Sequence, residues 1–297
     1  MKTTIYFLIA VMVSSIIYSA IPAKPKIMAV YKQEVVLESA KSNLSNDELS
    51  KSVDIISKRL ELFGIKLFSI YPIFEKSQIA INFKDEQNIV EIADLLTKKG
   101  KFEISETVDR TEILKRIGKS DSIYKYLQID DISENGSINP IIGNCKLENV
   151  EKLSQYINSG PFQVKIPTYS YFAWSKLSTE NNEELSLYYL KTGTDNKSSL
   201  DSISVSGVNV HEEGSDNYSL YLNFAPETAA KWQSITKKNV QKPLAMIVDH
   251  HVYFAPVVQE EMEGGKCAIT GNFTENEMKN LAAIVKNGEL PSGFRIK

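Results

Sequence analysis

The chain has 297 residues, and its 34 Lys and Arg against 37 Asp and Glu give a formal net charge of −3. Hydrophobic residues make up 42% and charged residues 24%, a balance that is typical of a globular protein and excludes a largely disordered chain. The lack of a basic excess argues against a nucleic-acid-binding protein.

The first residues predict a targeting segment. An apolar run over residues 5–17 follows Lys2, and small residues stand after it at Ser19, Ala20 and Ala23. The run is shorter than the roughly 20 residues that span a bilayer, so it favours a secretory signal peptide. An uncleaved membrane anchor over residues 1–23 is the alternative. Both interpretations place the rest of the chain in the periplasm or another extracytoplasmic space.

Residues 24–108 show the pattern of a ferredoxin-like α+β layer. Ser45 and Glu48 form a capping-box signature before a helix that Gly64 ends. Alternation over residues 78–83 predicts a half-buried strand, residues 86–98 a second helix, and residues 101–105 a further strand. The order of these elements, with a strand expected before the first helix, is that of a β-α-β unit preceded by a β-α unit.

Residues 109–200 are less regular and predict an irregular insert. Residues 133–143 are rich in Asn, Gly, Ser and Pro and indicate a loop. Residues 178–187 and 193–199 are expected to be polar connectors. Residues 149–158 predict one short helix.

Residues 201–297 predict a second, head-like α+β unit with mixed or antiparallel sheets. Apolar alternation over residues 218–224 indicates a strand, and Pro226 suits the first turn of the helix that follows. Residues 244–248 and 252–254 predict two strands around Asp249, His250 and His251, a tight hairpin. Thr274 and Glu277 form a second capping-box signature before the last helix. A short internal repeat between this unit and residues 81–104 is a weaker prediction, because strand-helix-strand units resemble each other by chance.

The last third of the chain resembles the first periplasmic domain of the SecD family of protein-translocase accessory subunits. The similar motifs are Thr-x-x-Asn at residues 236–239, Val-Tyr-x-Ala-Pro at 252–256, Gly-Gly at 264–265, Ile-x-Gly-x-Phe-Thr at 269–274 and Gly-x-Leu-Pro at 288–291. Residues 172–176 and 188–192 are similar to SecD versions fused to SecF, and residues 56–65 resemble the first helix of the family. His250 replaces the glycine of the family hairpin, which leaves the type of that turn open.

The resemblance implies a non-enzymatic domain that binds unfolded or exported polypeptide or docks to membrane subunits of the Sec translocase. In the family, a bundle of membrane helices follows Gly-x-Leu-Pro, whereas this sequence ends at Lys297. We therefore expect the periplasmic domain alone, without the membrane-helix bundle that drives it in the family. A structural or regulatory subunit that pairs with a separate membrane protein, and a degenerate paralogue, are the alternatives.

The candidate polypeptide-contact residues are four aromatic side chains, Tyr169, Tyr171, Phe172 and Trp174. Aromatic side chains are enriched at protein interfaces, so this strand would grip exposed apolar segments. The competing interpretation places at least half of them in the core, with Phe172 and Trp174 on the face opposite to the other two.

No motif predicts catalysis, a metal or a cofactor. The three histidines, His211, His250 and His251, lack metal-ligand spacing, because adjacent residues of a strand point to opposite faces. Gly264 and Gly265 lack the Lys-Ser/Thr of a phosphate loop and indicate a turn. Cys145 and Cys267 would pair in an oxidising compartment or remain two separate buried thiols, and the sequence leaves both open.

Overall fold

The computed structural model describes residues 31–129, 138–177, 183–193, 195, 197–201, 203–214 and 216–297. Across these residues the protein is α+β, with strands paired antiparallel in four sheets, which confirms the predicted fold class. Within them, no helix combines the length and the apolar character that a bilayer span needs. The predicted signal or anchor lies outside the described residues.

The helices are α1 Asn46–Phe63, α2 Ile89–Thr97, α3 Arg110–Ile117, α4 Leu147–Ile157, α5 Gly160–Gln163, α6 Pro226–Lys238 and α7 Glu275–Asn287. The strands are β1 Gln33–Ser39, β2 Phe68–Ile73, β3 Gln78–Phe83, β4 Phe102–Glu106, β5 Leu127–Gln128, β6 Ile141–Lys146, β7 Ser170–Trp174, β8 Glu184–Lys191, β9 Val205–Gly214, β10 Asn217–Phe224, β11 Leu244–Val248, β12 His251–Phe254, β13 Lys266–Ile269 and β14 Phe294–Ile296.

Helix α1 begins and ends where the sequence predicts. The Ser45 hydroxyl accepts the Glu48 N–H at 3.2 Å, and the Glu48 carboxylate accepts the Ser45 N–H at 2.9 Å. Gly64 follows the helix with a φ of 119°, which a residue with a side chain adopts at a cost. The capping box is therefore confirmed.

The first sheet has the strand order β14-β1-β3-β2, the order of a ferredoxin-like layer. The sequence suggested that the strand near residues 101–105 completes this layer, and that detail is wrong. β4 instead pairs with β11, where Ile104 lies opposite Met246. β14 from the end of the chain takes the place beside β1, with Ile296 opposite Leu37. The hydrogen bonding of the sheets thus crosses the proposed domain boundaries at residues 108 and 200.

The hairpin β11–β12 turns at Asp249 and His250, whose φ angles are 49° and 67°. Two successive positive φ values define the primed turn that matches the twist of a hairpin. Asp249 suits this position because its carboxylate also accepts the N–H groups of Gly100 and Lys101, each at 2.9 Å. The turn is thus kept with His250 in place of glycine.

Helix α7 lies at the centre of the largest hydrophobic cluster, called the main cluster here. It packs against α1 and α2 on one side and against β9 and β10 on the other. Its six consecutive residues from 280 to 285, together with Met278, are buried, so the buried surface extends nearly all round the helix and is wider than the single stripe that the sequence predicts. The capping box at Thr274 and Glu277 is confirmed.

The described residues between 109 and 191 form regular helices and strands, where the sequence predicts an irregular insert. β5, β6, β8 and β7 make a four-stranded sheet, and α3, α4 and α5 cover one side of it around a second cluster of buried side chains. Strand β8 overlaps the predicted polar connector. Its Leu187 and Tyr189 enter the second cluster, whereas Leu190 faces a third cluster with Ala245 and Ile247 of β11. A strand buried on both faces shows no alternation, which is why the sequence pattern missed it.

The two cysteines are free, buried and in different clusters. Cys145 of β6 lies in the second cluster and Cys267 of β13 in the main cluster. Burial raises the pKa of both thiols, that of Cys267 to about 12. These are two separate thiols that stay protonated near neutral pH, and unreactive for that reason.

Candidate functional site

The predicted aromatic strand does not form one surface. Phe172 stacks on Tyr189 with ring centroids 5.1 Å apart and an interplanar angle of 28°. The Trp174 indole N–H donates to the Ser154 hydroxyl at 3.0 Å, and both rings pack on the second cluster. Phe172 and Trp174 therefore serve the packing of this unit.

The two tyrosines of the set differ in exposure. Tyr171 packs against the third cluster, and its hydroxyl lies 3.1 Å from the Ser105 hydroxyl. Burial raises the pKa of Tyr171. Tyr169 precedes the strand with a φ of 64° and keeps 48% of its surface exposed. Of the four candidates, Tyr169 is the one with a largely exposed ring.

A groove of about 860 Å³ lies elsewhere, where α2, the start of α7, β12 and the end of β7 meet. Val90, Leu147 and Leu177 form its apolar rim and are 87%, 42% and 42% exposed. Val90 stands in the first turn of α2, and Ile92 two positions later turns into the core, so the helix presents Val90 to solvent. The groove therefore offers exposed aliphatic surface.

Polar side chains cross the floor of the groove. The Lys176 ammonium lies 3.7 Å from the Asp94 carboxylate and 5.0 Å from the centre of the Tyr253 ring. Asn280 of α7 donates to the backbone carbonyl of Glu91 in α2 at 3.0 Å. These contacts hold α2, α7 and the end of β7 in fixed positions around the apolar rim.

Tyr253 and Arg59 lie behind this floor. The Tyr253 hydroxyl is buried with no hydrogen-bond partner among the described residues, and burial raises its pKa. Arg59 is fully buried, and its guanidinium donates to the carbonyls of Leu95, Lys98, Lys99 and Gly288 at 2.7–3.3 Å. Burial lowers the pKa of Arg59 to about 10, which leaves it charged at neutral pH.

The closeness of Arg59 explains Gly100. A Cβ at Gly100 would lie 2.2 Å from a guanidinium nitrogen of Arg59, and the φ of 83° adds strain for any larger residue. The carbonyls that Arg59 binds belong to α2, to the two residues after α2 and to Gly288 just after α7, where the helix dipoles favour a cation. Nothing in the sequence marked Arg59, because charged residues on a helix are usually exposed.

The remaining sequence candidates do not converge. His251 contacts the backbone carbonyl of Asp249, and His211 of β9 lies beside the Tyr221 ring. In the described ranges, no three His, Cys, Asp or Glu side chains are close enough to hold a metal ion. Gly265 has a φ of 71°, and a Cβ there would lie 2.7 Å from that of Ala229, so the glycine pair makes a close-packed turn.

Comparison with known proteins finds similarity to subunits of the protein translocase. Residues 182–292 match the family model of the SecDF P1 head subdomain. A stretch of 89 residues is 40% identical to protein translocase subunit SecD of Syntrophobacter fumaroxidans and covers 30% of this chain and 16% of that protein. A stretch of 75 residues is 35% identical to SecDF of Thermus thermophilus and covers 25% of this chain and 10% of that protein. The matches thus span a small part of these relatives.

Solved structures agree in fold. A structure of the membrane component SecDF that enhances protein export covers 89% of this chain and 97% of its own, with a TM-score of 0.51 and 17% identity. SecDF in a super-membrane-facing form covers 89% of this chain and 29% of its own, with a TM-score of 0.52 and 17% identity. At this identity the likeness establishes the fold.

Proposed function

We propose that this chain, a SecD-type periplasmic domain whose residues 182–292 form the P1 head subdomain, acts outside the cytoplasm as a non-enzymatic accessory domain in protein export. The SecD and SecDF relatives support the link to export. The apolar run over residues 5–17 supports the compartment. Membrane subunits of the Sec translocase are the partners that fit this role.

The groove is the part of this domain that contacts an emerging polypeptide. Its rim of Val90, Leu147 and Leu177 offers exposed aliphatic surface. Covering this surface with apolar side chains of an unfolded polypeptide is favourable whatever the sequence of that polypeptide. The observation that carries the proposal is the 87% exposure of Val90 beside a preformed cavity. Large exposed apolar side chains at a concave surface are typical of binding sites.

Photocrosslinking of the full chain tests this assignment. A photoreactive residue is placed at the position of Val90, Leu177, Tyr169 or Val164, one at a time, and each protein is irradiated with reduced, carboxymethylated α-lactalbumin as a permanently unfolded probe. Val164 is the matched control, because it is also a valine and is 84% exposed but lies outside the groove. We expect adducts from the positions of Val90 and Leu177 and little adduct from that of Val164.

Two results would contradict the groove. Equal yields from the positions of Val164 and Val90 would mean that any exposed apolar position captures the probe. A strong yield from the position of Tyr169 alone would return the contact to the aromatic segment that the sequence suggested. Native α-lactalbumin, with its apolar residues buried, serves as the negative probe.

A further inference from the structure

Strand β9 is the outer strand of the sheet β13-β10-β9. The direction of its backbone groups follows from its neighbour β10. The N–H of Tyr218 donates to the Phe273 carbonyl and that of Phe224 to the Gly265 carbonyl, both on the side of β13. Backbone groups alternate sides along a strand, so Leu220 and Leu222 also point toward β13.

The residues of β9 opposite these positions point the other way. Val208 lies opposite Leu222 and Val210 opposite Leu220, and Glu212 lies opposite Tyr218. These are non-hydrogen-bonded pairs, so the N–H and C=O groups of Val208, Val210 and Glu212 point out of the sheet. Within the described part of the chain, β9 has no second strand partner that takes up these six groups.

The unpaired part of the β9 edge begins after Ser206. The Lys286 ammonium donates to the carbonyls of Val205 and Ser206 at 3.3 and 2.6 Å. The first residues of the strand are thus occupied by a side chain, and the exposed backbone groups begin at Val208. Three outward positions in a row are long enough to pair with a short strand.

Strand β2 is also an outer strand, but a proline hinders the pairing of its open edge with a further strand, and β9 has no such proline. The Lys84 N–H donates to the Leu67 carbonyl, which places Leu67 and every second residue after it on the side of β3. Pro72 therefore stands at an outward position of β2, where it removes a donor without loss to the sheet. The sequence of β9 contains no proline. The protein protects one edge and leaves the other able to pair.

The side chains along β9 define what would pair there. Val208 and Val210 are half-buried against the main cluster on the face of α7, whereas Asn209 is exposed on the opposite face. Glu212 and Glu213 make the far end acidic and exposed. A partner strand that alternates apolar and polar residues, with a basic residue at this end, would cover the valines and pair with the acids.

We propose that the outward edge of β9, from Val208 to Glu212, is a strand-addition site that binds an extended, amphipathic segment of another polypeptide with a basic residue near Glu212. Main-chain hydrogen bonds supply the affinity, and alternate side chains supply the preference. The site shares no lining residue with the groove. Its test therefore succeeds or fails independently of the groove.

Amide hydrogen exchange of the full chain, with and without a peptide, measures the protection of the outward N–H groups of β9 directly. The probe is a capped peptide of alternating Thr and Val with a Lys at each end, so that a basic residue meets Glu212 in either strand direction. Its twin is N-methylated at every residue and so has no backbone donor on either edge. We expect fast exchange at Val208, Val210 and Glu212 in the free protein and slow exchange with the first peptide. The amides of Asn209 and His211 bond to β10 and should be slow throughout. No added protection would overturn the proposal, as would equal protection by the methylated twin.

Two variants separate backbone pairing from side-chain contact. Val210→Pro removes an outward N–H that the sheet does not use, as Pro72 does in β2, and should weaken peptide binding about tenfold. Val210→Thr keeps the N–H and a β-branched side chain and should bind within about twofold. Equal binding by both variants would refute strand addition. Protection that rises with protein concentration without peptide, together with the mass of a dimer, would assign the edge to a second copy and also overturn the proposal.

Discussion

The main cluster and the second cluster differ in how far apart in sequence their residues lie. The main cluster joins side chains of β1, near the start of the described chain, to those of α7 and β14 near its end. The second cluster uses residues only from Val108 to Tyr189. Closing a long loop costs more chain entropy than closing a short one, so the long-range contacts of the main cluster need extensive apolar burial to offset that cost.

The largest expected effect concerns Arg59, which fastens the main cluster. Arg59→Met should lower the free energy of unfolding by about 4 kcal/mol or more, because four carbonyls at the ends of α2 and α7 lose their donor. Urea unfolding measures the change. Arg295→Met is the control, because Arg295 makes an exposed ion pair with Glu38 that solvent screens. Equal effects of the two variants would show that the buried guanidinium does not hold the two helices together.

A matched pair of leucines distinguishes the two clusters. Leu281 of α7 and Leu153 of α4 are both buried, and changing either to Ala should cost about 3 kcal/mol. The location of the damage should differ. Leu281→Ala should speed amide exchange in both β1 and β10, whereas Leu153→Ala should speed it in β6 and β8 alone. Loss of protection in β1 and β10 from Leu153→Ala would mean that the clusters unfold as one unit.

The smallest expected effect is a pH dependence confined to the second cluster. The Asp121 carboxylate is buried there and accepts bonds from Lys165 at 2.5 Å, Tyr156 at 2.8 Å and the Ile123 N–H at 2.9 Å. Burial opposes its charge, but these bonds outweigh burial and hold the pKa of Asp121 below its usual range. The stabilisation is complete above the unfolded-state pKa, near 3.9, and is lost as the pH falls through the lower folded value.

Two tryptophans allow this pH dependence to be followed by region. Trp174 packs on the second cluster and Trp232 lies in the main cluster, so Trp232→Phe leaves fluorescence that reports the second cluster. We expect its unfolding midpoint in urea to fall as the pH drops below about 4 and Asp121→Asn to flatten that fall. An unchanged slope in Asp121→Asn would mean that other carboxylates cause the acid sensitivity.

The candidate sites also differ in how far apart in sequence their residues lie. The sequence pointed to one aromatic segment, since its residues are adjacent, but Phe172 and Trp174 are used for packing. The groove combines Val90, Leu147, Leu177 and Tyr253, which come from four separate elements. No local pattern indicates that residues so far apart in sequence line one cavity. Their role as a polypeptide contact remains a proposal.

The local elements of this protein are predictable from short stretches of sequence. The capping boxes at Ser45 and Thr274, the alternation of β10 and the hairpin at Asp249 involve residues a few positions apart, and short-range hydrogen bonds and side-chain periodicity fix them. The motifs that resemble the SecD family are also short stretches of sequence, so they too can be recognised without knowledge of long-range contacts.

Long-range packing, in contrast, sets which strand completes the first sheet, which charge is buried and where a groove opens. β14 rather than β4 lies beside β1, because β4 finds its partner in β11. Arg59 is tolerated in the core because two helix ends bring four carbonyls to it. Such choices depend on which apolar faces and backbone groups are still unpaired when distant segments meet, and a linear sequence does not state that.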